Sequence, residues 1–350
     1  MISDDVLSSI EMIRDNARGI TRLALTRIRK LRFTSPGFDR SVWGEICALG
    51  WPALRLPEER GGVGLGLLVY AALAEEAGRA LLPEPLIPAM LASSLLAGAP
   101  LERHLAGERL VLPAWADARG ALEPSCDLDI RDGRVFAQKA YVPFAAGADD
   151  FLVIGASGSA LVAANATGVE VNTHQTQDGG HFAHIRFEGV PCMALVADPR
   201  PALAEATLGT AAYLLGLMAG ALDMTVAYLK QRVQFGKTLS QFQVLQHMAV
   251  DGRLEIEISR ASIEQAALQW DTEGATPSAY AAISRAKARA SAAALKVTRD
   301  CIQLHGGIGF TDEYDIGLFL RKAMVEAPRF GGPPEHRARF AQLKPIKQEI

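Results

Sequence analysis

The sequence predicts an α+β chain, mostly α, and three observations predict it. Apolar residues recur at three- and four-residue steps through the first hundred residues. From Arg109 the grammar changes to short runs rich in Val, Phe, Ile and Tyr, broken by Gly, Asp and Pro. From Leu208 the three-four spacing returns in longer stripes. The division that follows is an N-terminal helical domain over 1–107, a small antiparallel β domain over 108–203, a helical bundle over 204–332 and a tail over 333–350.

The first helices rest on Val6, Ile10, Ile13 and Ala17, then Leu23 and Ile28. Asp39 and Ser41 are capping types ahead of Trp43, Ile46 and Leu49, and Gly50 is a stop signal. The stretch Leu56-Pro-Glu-Glu-Arg-Gly-Gly-Val-Gly-Leu65 is glycine-rich. No suitable strand precedes it and no Gly-Lys-Ser/Thr follows, so it reads as a turn before the next helix rather than a phosphate cradle. That helix shows Val69, Leu73, Ala77 and Ala80 on one face, and Pro83, Pro85 and Pro88 break it ahead of a short helix near 89–97.

In the β region the runs 110–114, 135–142, 151–154, 160–164 and 182–187 read as strands. Asp132-Gly133 is a hairpin turn. Gly155-Ala-Ser-Gly158 follows a strand, but no helical pattern comes after it, so a hairpin is favoured over a dinucleotide loop. His181 and His184 lie an odd number of residues apart and point to opposite faces of a strand. With His174 they read as surface histidines rather than metal ligands.

One bundle stripe is Leu208, Ala211, Leu215, Met218, Leu222, Val226 and Leu229. A second is Phe242, Leu245, Ala249, Ile256, Ser259, Ile263, Ala266 and Trp270, closed by Gly274 and Pro277. Residues 280–304 form an alanine-rich helix whose small side chains permit close approach. Long antiparallel stripes of this kind make a four-helix bundle.

Composition narrows the function. With 350 residues, 49% apolar and a net charge of −3, the chain can bury a large core and has no basic excess for nucleic acid or a membrane surface. Four scattered cysteines, Cys47, Cys126, Cys192 and Cys301, show no CxxC spacing and read as buried thiols. Met1-Ile-Ser-Asp-Asp5 has no apolar signal core, and the apolar run 211–222 is too short to span a bilayer. A cytoplasmic location is expected.

Two motifs carry chemistry. Arg232-Val-Gln-Phe-Gly-Lys237 offers a guanidinium for a pyrophosphate and a ring for stacking. About seventy residues on, Gln303-Leu-His-Gly-Gly-Ile-Gly-Phe310 offers a glycine pair that lets a backbone approach a ligand. The simpler readings are an exposed helix-end charge and a helix C-cap.

With Leu49-Gly-Trp-Pro-Ala-Leu-Arg-Leu-Pro-Glu-Glu-Arg-Gly-Gly-Val-Gly-Leu65 and Leu73-Ala-Glu-Glu-Ala-Gly-Arg79, these motifs and the domain order resemble the acyl-CoA dehydrogenase family over nearly the whole chain. The resemblance implies an FAD flavoprotein that removes two hydrogens from the α and β carbons of an acyl-CoA, using a carboxylate base and the flavin. It implies that Arg232, Gln234, Phe235, Gln303, Gly306 and Gly307 meet the ADP end of an FAD whose ring lies in a neighbouring subunit.

The ring half departs from the family pattern. Leu112-Pro-Ala-Trp-Ala-Asp-Ala-Arg-Gly120 lacks the family's threonine-rich run, and in Gln138-Lys-Ala-Tyr-Val-Pro143 Tyr141 stands for a tryptophan and Pro143 for a threonine. The base departs further. Ungapped counting from Gly306-Gly307 puts Phe330 where the family's usual glutamate falls. Counting back from Arg232 to the family's other base position reaches Ala206, leaving Glu205 one residue out of register and Glu326 a weaker candidate.

Three readings stay open. The first is a base-less subunit of an α2β2 acyl-CoA dehydrogenase acting on a steroid side chain or other bulky acyl group, completed by a second acyl-CoA dehydrogenase subunit. The others are a homo-oligomer using Glu205 and a non-catalytic scaffold.

Overall fold

A computed structural model describes residues 4–21 and 25–344. The Met1-Ile-Ser3 start, Leu23 of the first stripe and residues 345–350 of the expected tail lie outside the described residues. The helices, in order, are α1 (Asp4–Thr21), α2 (Leu25–Leu31), α3 (Arg40–Ala48), α4 (Leu67–Arg79), α5 (Leu86–Leu95), α6 (Gly98–Leu105), α7 (Arg200–Gln231), α8 (Gln243–Glu273), α9 (Pro277–His305), α10 (Ile316–Glu326) and α11 (Pro333–Leu343). The strands are β1 (Val111–Ala114), β2 (Asp129–Arg131), β3 (Arg134–Pro143), β4 (Asp150–Ile154), β5 (Ser159–Ala163), β6 (Val169–Gln175), β7 (His181–Pro191), β8 (Met193–Leu195), β9 (Val233–Gln234) and β10 (Lys237–Thr238). The architecture is mostly helical with a small β region, as the sequence predicts.

Contacts divide the chain into two units, one of residues 26–70 and 83–207, the other of 1–25, 71–82 and 208–350. In the first, Asp39 caps α3 by accepting from Ser41 N at 2.9 Å, and Gly50, at φ +72°, turns the chain out of it. The glycine-rich stretch ahead of α4 is a turn. Gly62 is packed so closely there that an added Cβ would lie 2.0 Å from the Leu56 carbonyl.

Two four-stranded sheets follow, in the orders β1-β4-β5-β8 and β2-β3-β7-β6. Phe151, Val153, Val135, Ala183 and Phe187 fill the core they share. Asp132 and Gly133, both at positive φ, make the β2–β3 turn, and Gly155 N donates to Gly158 O at 2.8 Å across the β4–β5 hairpin. One pair departs from the antiparallel expectation: β1 runs parallel to β4. β6 left little signal because it is exposed almost throughout, and its apolar alternation stops after Val169 and Val171. α6 escaped for the same reason, with only Leu101 and His104 buried.

The second unit is the bundle. The expected stripes face inward: Leu208, Leu215, Met218 and Leu222 of α7, and Ile256, Ile263 and Trp270 of α8, are buried. α7 is long and apolar enough to cross a membrane by composition alone, and its apolar face is accounted for by burial in the bundle. α7 and the end of α4 touch backbone to backbone. A Cβ on Gly78 would lie 1.9 Å from Tyr213 O, and one on Gly216 would lie 1.8 Å from Glu75 O.

The stretch expected as a tail folds as α11 over Pro333–Leu343, with Glu335 Oε2 accepting from Gly332 N at 3.0 Å at its start. The cysteines also need correction. Cys47 and Cys301 are buried, whereas Cys126 is exposed and Cys192 half-buried.

Candidate functional site

The bundle unit assembles the site from the ends of two helices. α7 stops at Gln231, and the chain reverses in a two-stranded ribbon, β9 paired antiparallel to β10. Phe235 and Gly236 form the two-residue turn at φ +54° and +77°. Both residues of such a turn must adopt positive φ, which suits glycine and strains phenylalanine. Leu239 N donates to Arg232 O at 2.9 Å and closes the ribbon. Phe235 is 89% exposed, a large apolar ring held out in solvent on strained backbone. Its edge meets Phe242 at 6.2 Å, and Lys237 Nζ sits 4.2 Å from the Phe242 ring centre. Arg232 and Gln234 are exposed beside it. Arg232 makes no ion pair with any described residue.

The second motif closes α9. Gln303 is exposed in the last turn, and Gly306, at φ +65°, caps the helix through its N–H to Gln303 O. A short 3-10 turn continues through Gly306–Phe310. A Cβ built on Gly306 or Gly307 meets nothing within 4 Å, so both face open space. Neither glycine is required by packing within this chain. Gly309, by contrast, would clash with Ile302 O at 2.6 Å.

An aromatic cluster joins the two motifs. Tyr228, one turn before Arg232, stacks on His305 at 4.4 Å, and Tyr314 meets His305 at 5.0 Å and Tyr228 at 5.8 Å. Tyr228 Oη donates to His305 O at 3.4 Å. His305 Nδ1–H donates to Cys301 O at 2.7 Å, which leaves Nε2 as an unpartnered acceptor. Burial holds its pKa below the usual histidine range, with the Cys301 carbonyl opposing. The Tyr228–His305 contact therefore brings together the end of α7, which leads into Arg232, Gln234 and Phe235, and the end of α9, which carries Gln303 and leads into Gly306 and Gly307. The sequence reading missed Tyr228 and His305. The available signal was the four-residue step from Tyr228 to Arg232 and a histidine set between Leu304 and the glycine pair.

Position 330 lies elsewhere in the same unit. Phe330 is buried, at φ +56°, in the loop between α10 and α11, and Gly331 follows at φ +92°. His336 Nε2–H donates to Phe330 O at 2.8 Å. Burial, with the nearby Lys287 charge, pulls His336 down to about 3, so its ring is neutral near pH 7. Glu326 at the end of α10 is buried, with Oε1 on Lys322 Nζ at 2.9 Å and Oε2 on Arg329 Nη1 at 2.8 Å.

Glu205 sits near the start of α7, in the sheet-bearing unit. Arg55 engages both its oxygens, and Tyr70 lies close by with a hydroxyl that is buried and unpartnered. Burial and the Glu205 charge push the Tyr70 phenol up.

In that unit, Tyr141 occupies the register shift between Lys139 and Val142 of β3, at φ +55°. Its ring packs on Phe182 and His184, both at 5.1 Å. His174 lies 5.3 Å from His184 and 5.4 Å from Phe182, so the sheet gathers four rings the sequence had kept apart. Pro143, paired with Phe182, has no N–H to offer beside them. His181 takes a separate course, its Nε2 accepting from Ala146 N at 3.0 Å.

Two family descriptions match the chain: "Acyl-CoA dehydrogenase, N-terminal domain" over residues 8–106 and "Acyl-CoA dehydrogenase, C-terminal domain" over 200–339. Acyl-CoA dehydrogenase IpdE2 of Mycolicibacterium smegmatis is 30% identical over 319 residues, covering 90% of this chain and 89% of that protein. A solved variant of the Tcur3481-Tcur3483 steroid ACAD superposes with a TM-score of 0.88 at 30% identity, over 97% of this chain and 98% of that one. The ChsE4-ChsE5 complex from Mycobacterium tuberculosis superposes at 0.83 with 23% identity, over 98% and 97%.

Proposed function

Since the chain belongs to the acyl-CoA dehydrogenase family, we propose that it is a subunit of an α,β-dehydrogenating acyl-CoA enzyme whose base is carried by a partner chain. The family's members are oxidoreductases, and their cofactor is FAD. When bound, the flavin accepts the β hydrogen as a hydride, which fixes what the protein must supply: a grip on the dinucleotide and a carboxylate for the α proton.

The residues fit the ADP end. Arg232 carries an uncompensated guanidinium that suits a pyrophosphate, exposed Phe235 offers a face for stacking, and Gly306-Gly307 leaves room for a backbone-to-ligand approach. Gln234 and Gln303 stand beside them as hydrogen-bonding groups. The observation that carries the proposal is the contrast between positions 235 and 330. An aromatic ring that packing would bury stands in solvent, and a buried ring occupies the loop where the family counts its carboxylate. Glu205 and Glu326 are each held at both oxygens by cations.

α8 supplies a face for the partner. Val244, Val250, Leu254 and Ile258 are all more than half exposed and fall within about a third of the helix circumference at 100° per residue. The row begins just after the Phe235 ribbon, so a second acyl-CoA dehydrogenase subunit seated on it would lie beside Arg232, the residue that would hold the ADP end of FAD. The proposed assembly is α2β2 in a cytoplasmic setting, with a steroid side chain or other bulky acyl group as substrate. The likeness to a structure described as a steroid ACAD supports that substrate class.

Affinity purification from the native host tests the reading. A second, glutamate-bearing chain of the family should co-purify, with about one FAD per pair of chains. The isolated chain should hold little flavin and show no dehydrogenation. Full flavin loading and turnover by the isolated chain would overturn it.

A further inference from the structure

Lys287 of α9 has no solvent exposure. Its Nζ donates to Ala327 O at 2.8 Å, Gly331 O at 2.9 Å and Ser291 Oγ at 3.0 Å. The two carbonyls bracket Phe330, and the Phe330 carbonyl between them is taken by His336. The backbone here runs through two successive left-handed residues, Phe330 and Gly331, a conformation that persists only when its surroundings over-determine it.

The donor arithmetic is complete in two ways. An ammonium has three N–H groups, and three acceptors face it. A neutral amine has two N–H groups and a lone pair. Ser291 Oγ lies 3.0 Å from Nζ and 3.1 Å from Ala327 O, so its hydroxyl proton can serve either acceptor. With the amine charged, Ser291 donates to Ala327 O. With the amine neutral, Ser291 donates to Nζ, and both carbonyls keep their lysine bonds.

We propose that Lys287 and Ser291 form a clamp that positions residue 330, holding the loop backbone in either charge state of the amine. Lys287 is thus a positioning residue that acts through the loop. The clamp lies within this chain and does not depend on a partner subunit, so its failure and that of the subunit reading are distinguishable.

The surroundings support both charge states. Burial pulls Lys287 down to about 7; Glu326 of α10 and Glu335 of α11 oppose this, and Arg329 of the loop adds to it. His336 of α11 feels the same charge and stays neutral. No charged group of α8 acts on Lys287 among the described residues.

The test uses the full-length protein as purified, with lysines labelled at Cε for NMR and amide exchange followed over 327–332. One lysine resonance, absent in Lys287→Met, should titrate about three pH units below the others. Over the same range the Arg329, Gly331 and Gly332 amides, corrected for base catalysis, should stay protected in both charge states, with protection rising with pH by no more than about tenfold per unit, the limit set by release of one proton. Lys287→Met should speed their exchange tenfold or more at every pH. Ser291→Ala, a smaller change that leaves the lysine in place, should move the titration lower still, because the charged amine then lacks an acceptor. Loop protection that collapses as the amine titrates, an ordinary lysine titration, or an unmoved titration in Ser291→Ala would each overturn the clamp.

Discussion

Arg55 grips Glu205 at both oxygens, Nε to Oε2 at 3.0 Å and Nη2 to Oε1 at 2.6 Å, while its Nη1 donates to Leu65 O at 2.7 Å. A carboxylate acting as a base on carbon needs a free lone pair aimed at its substrate. In Glu205 both oxygens accept from Arg55, and the pair ties α7 to the turn ahead of α4. Glu205→Gln is expected to lower stability by about 2 kcal/mol, less than for a fully buried pair because about a fifth of each side chain is exposed. Turnover of the assembled enzyme should stay within about twofold. Urea unfolding and steady-state rates check both.

Phe235 poses stability against binding. Its φ of +54° is natural for glycine, so Phe235→Gly should stabilise the ribbon by about 1 kcal/mol. The same change should cost the assembled enzyme about tenfold in FAD affinity, as should Arg232→Ala, whose exposed side chain contributes little to folding. Melting temperature and flavin retention after gel filtration should therefore move in opposite directions for Phe235→Gly.

Lys287 predicts a pH slope. Its folded pKa is depressed to about 7, so between pH 7 and 10.5 the unfolded chain binds a proton that the folded chain does not. Stability from this group is present above the unfolded value and is lost as pH falls toward 7. Relative to Lys287→Met, the wild type should gain up to about 1.4 kcal/mol per pH unit from pH 7.5 to 9. Denaturant midpoints at several pH values would measure the difference.

The thiols should divide by environment. Burial pushes Cys47 up to about 12 and Cys301 up to about 11, and both are enclosed. A thiol reagent at pH 8 should modify Cys126 quickly and Cys192 slowly, and reach Cys47 and Cys301 only on unfolding. Peptide mapping after timed quenching would show the order.

How far the sequence alone could reach varies with the kind of interaction. The α7 and α8 stripes were legible because burial of a helix face imposes its own period. The Phe235-Gly236 turn was not, since a phenylalanine at positive φ breaks the local rule that a reader applies. Lys287 sat in view. Ile283, Lys287, Ala290, Ala294, Val297 and Cys301 follow one inward-facing register and are all buried. Its neighbours Arg285 and Arg289 disguise it as part of a solvated face. The Tyr228–His305 stack pairs residues from two helices far apart in sequence, and no local pattern encodes such a meeting. Glu205 was visible as an acidic residue, but its engagement by Arg55 depends on a contact spanning 150 positions.

Where Gly78 meets the Tyr213 carbonyl and Gly216 meets that of Glu75, the two rods share a seam thinner than any methyl group. Such a seam has no intermediate settings. Alanine at either place must wedge the helices apart along their length, because a rigid rod cannot yield at one point only. A lineage could repaint the outside of this bundle freely and still be bound, at these two positions, to the one residue that has no side chain.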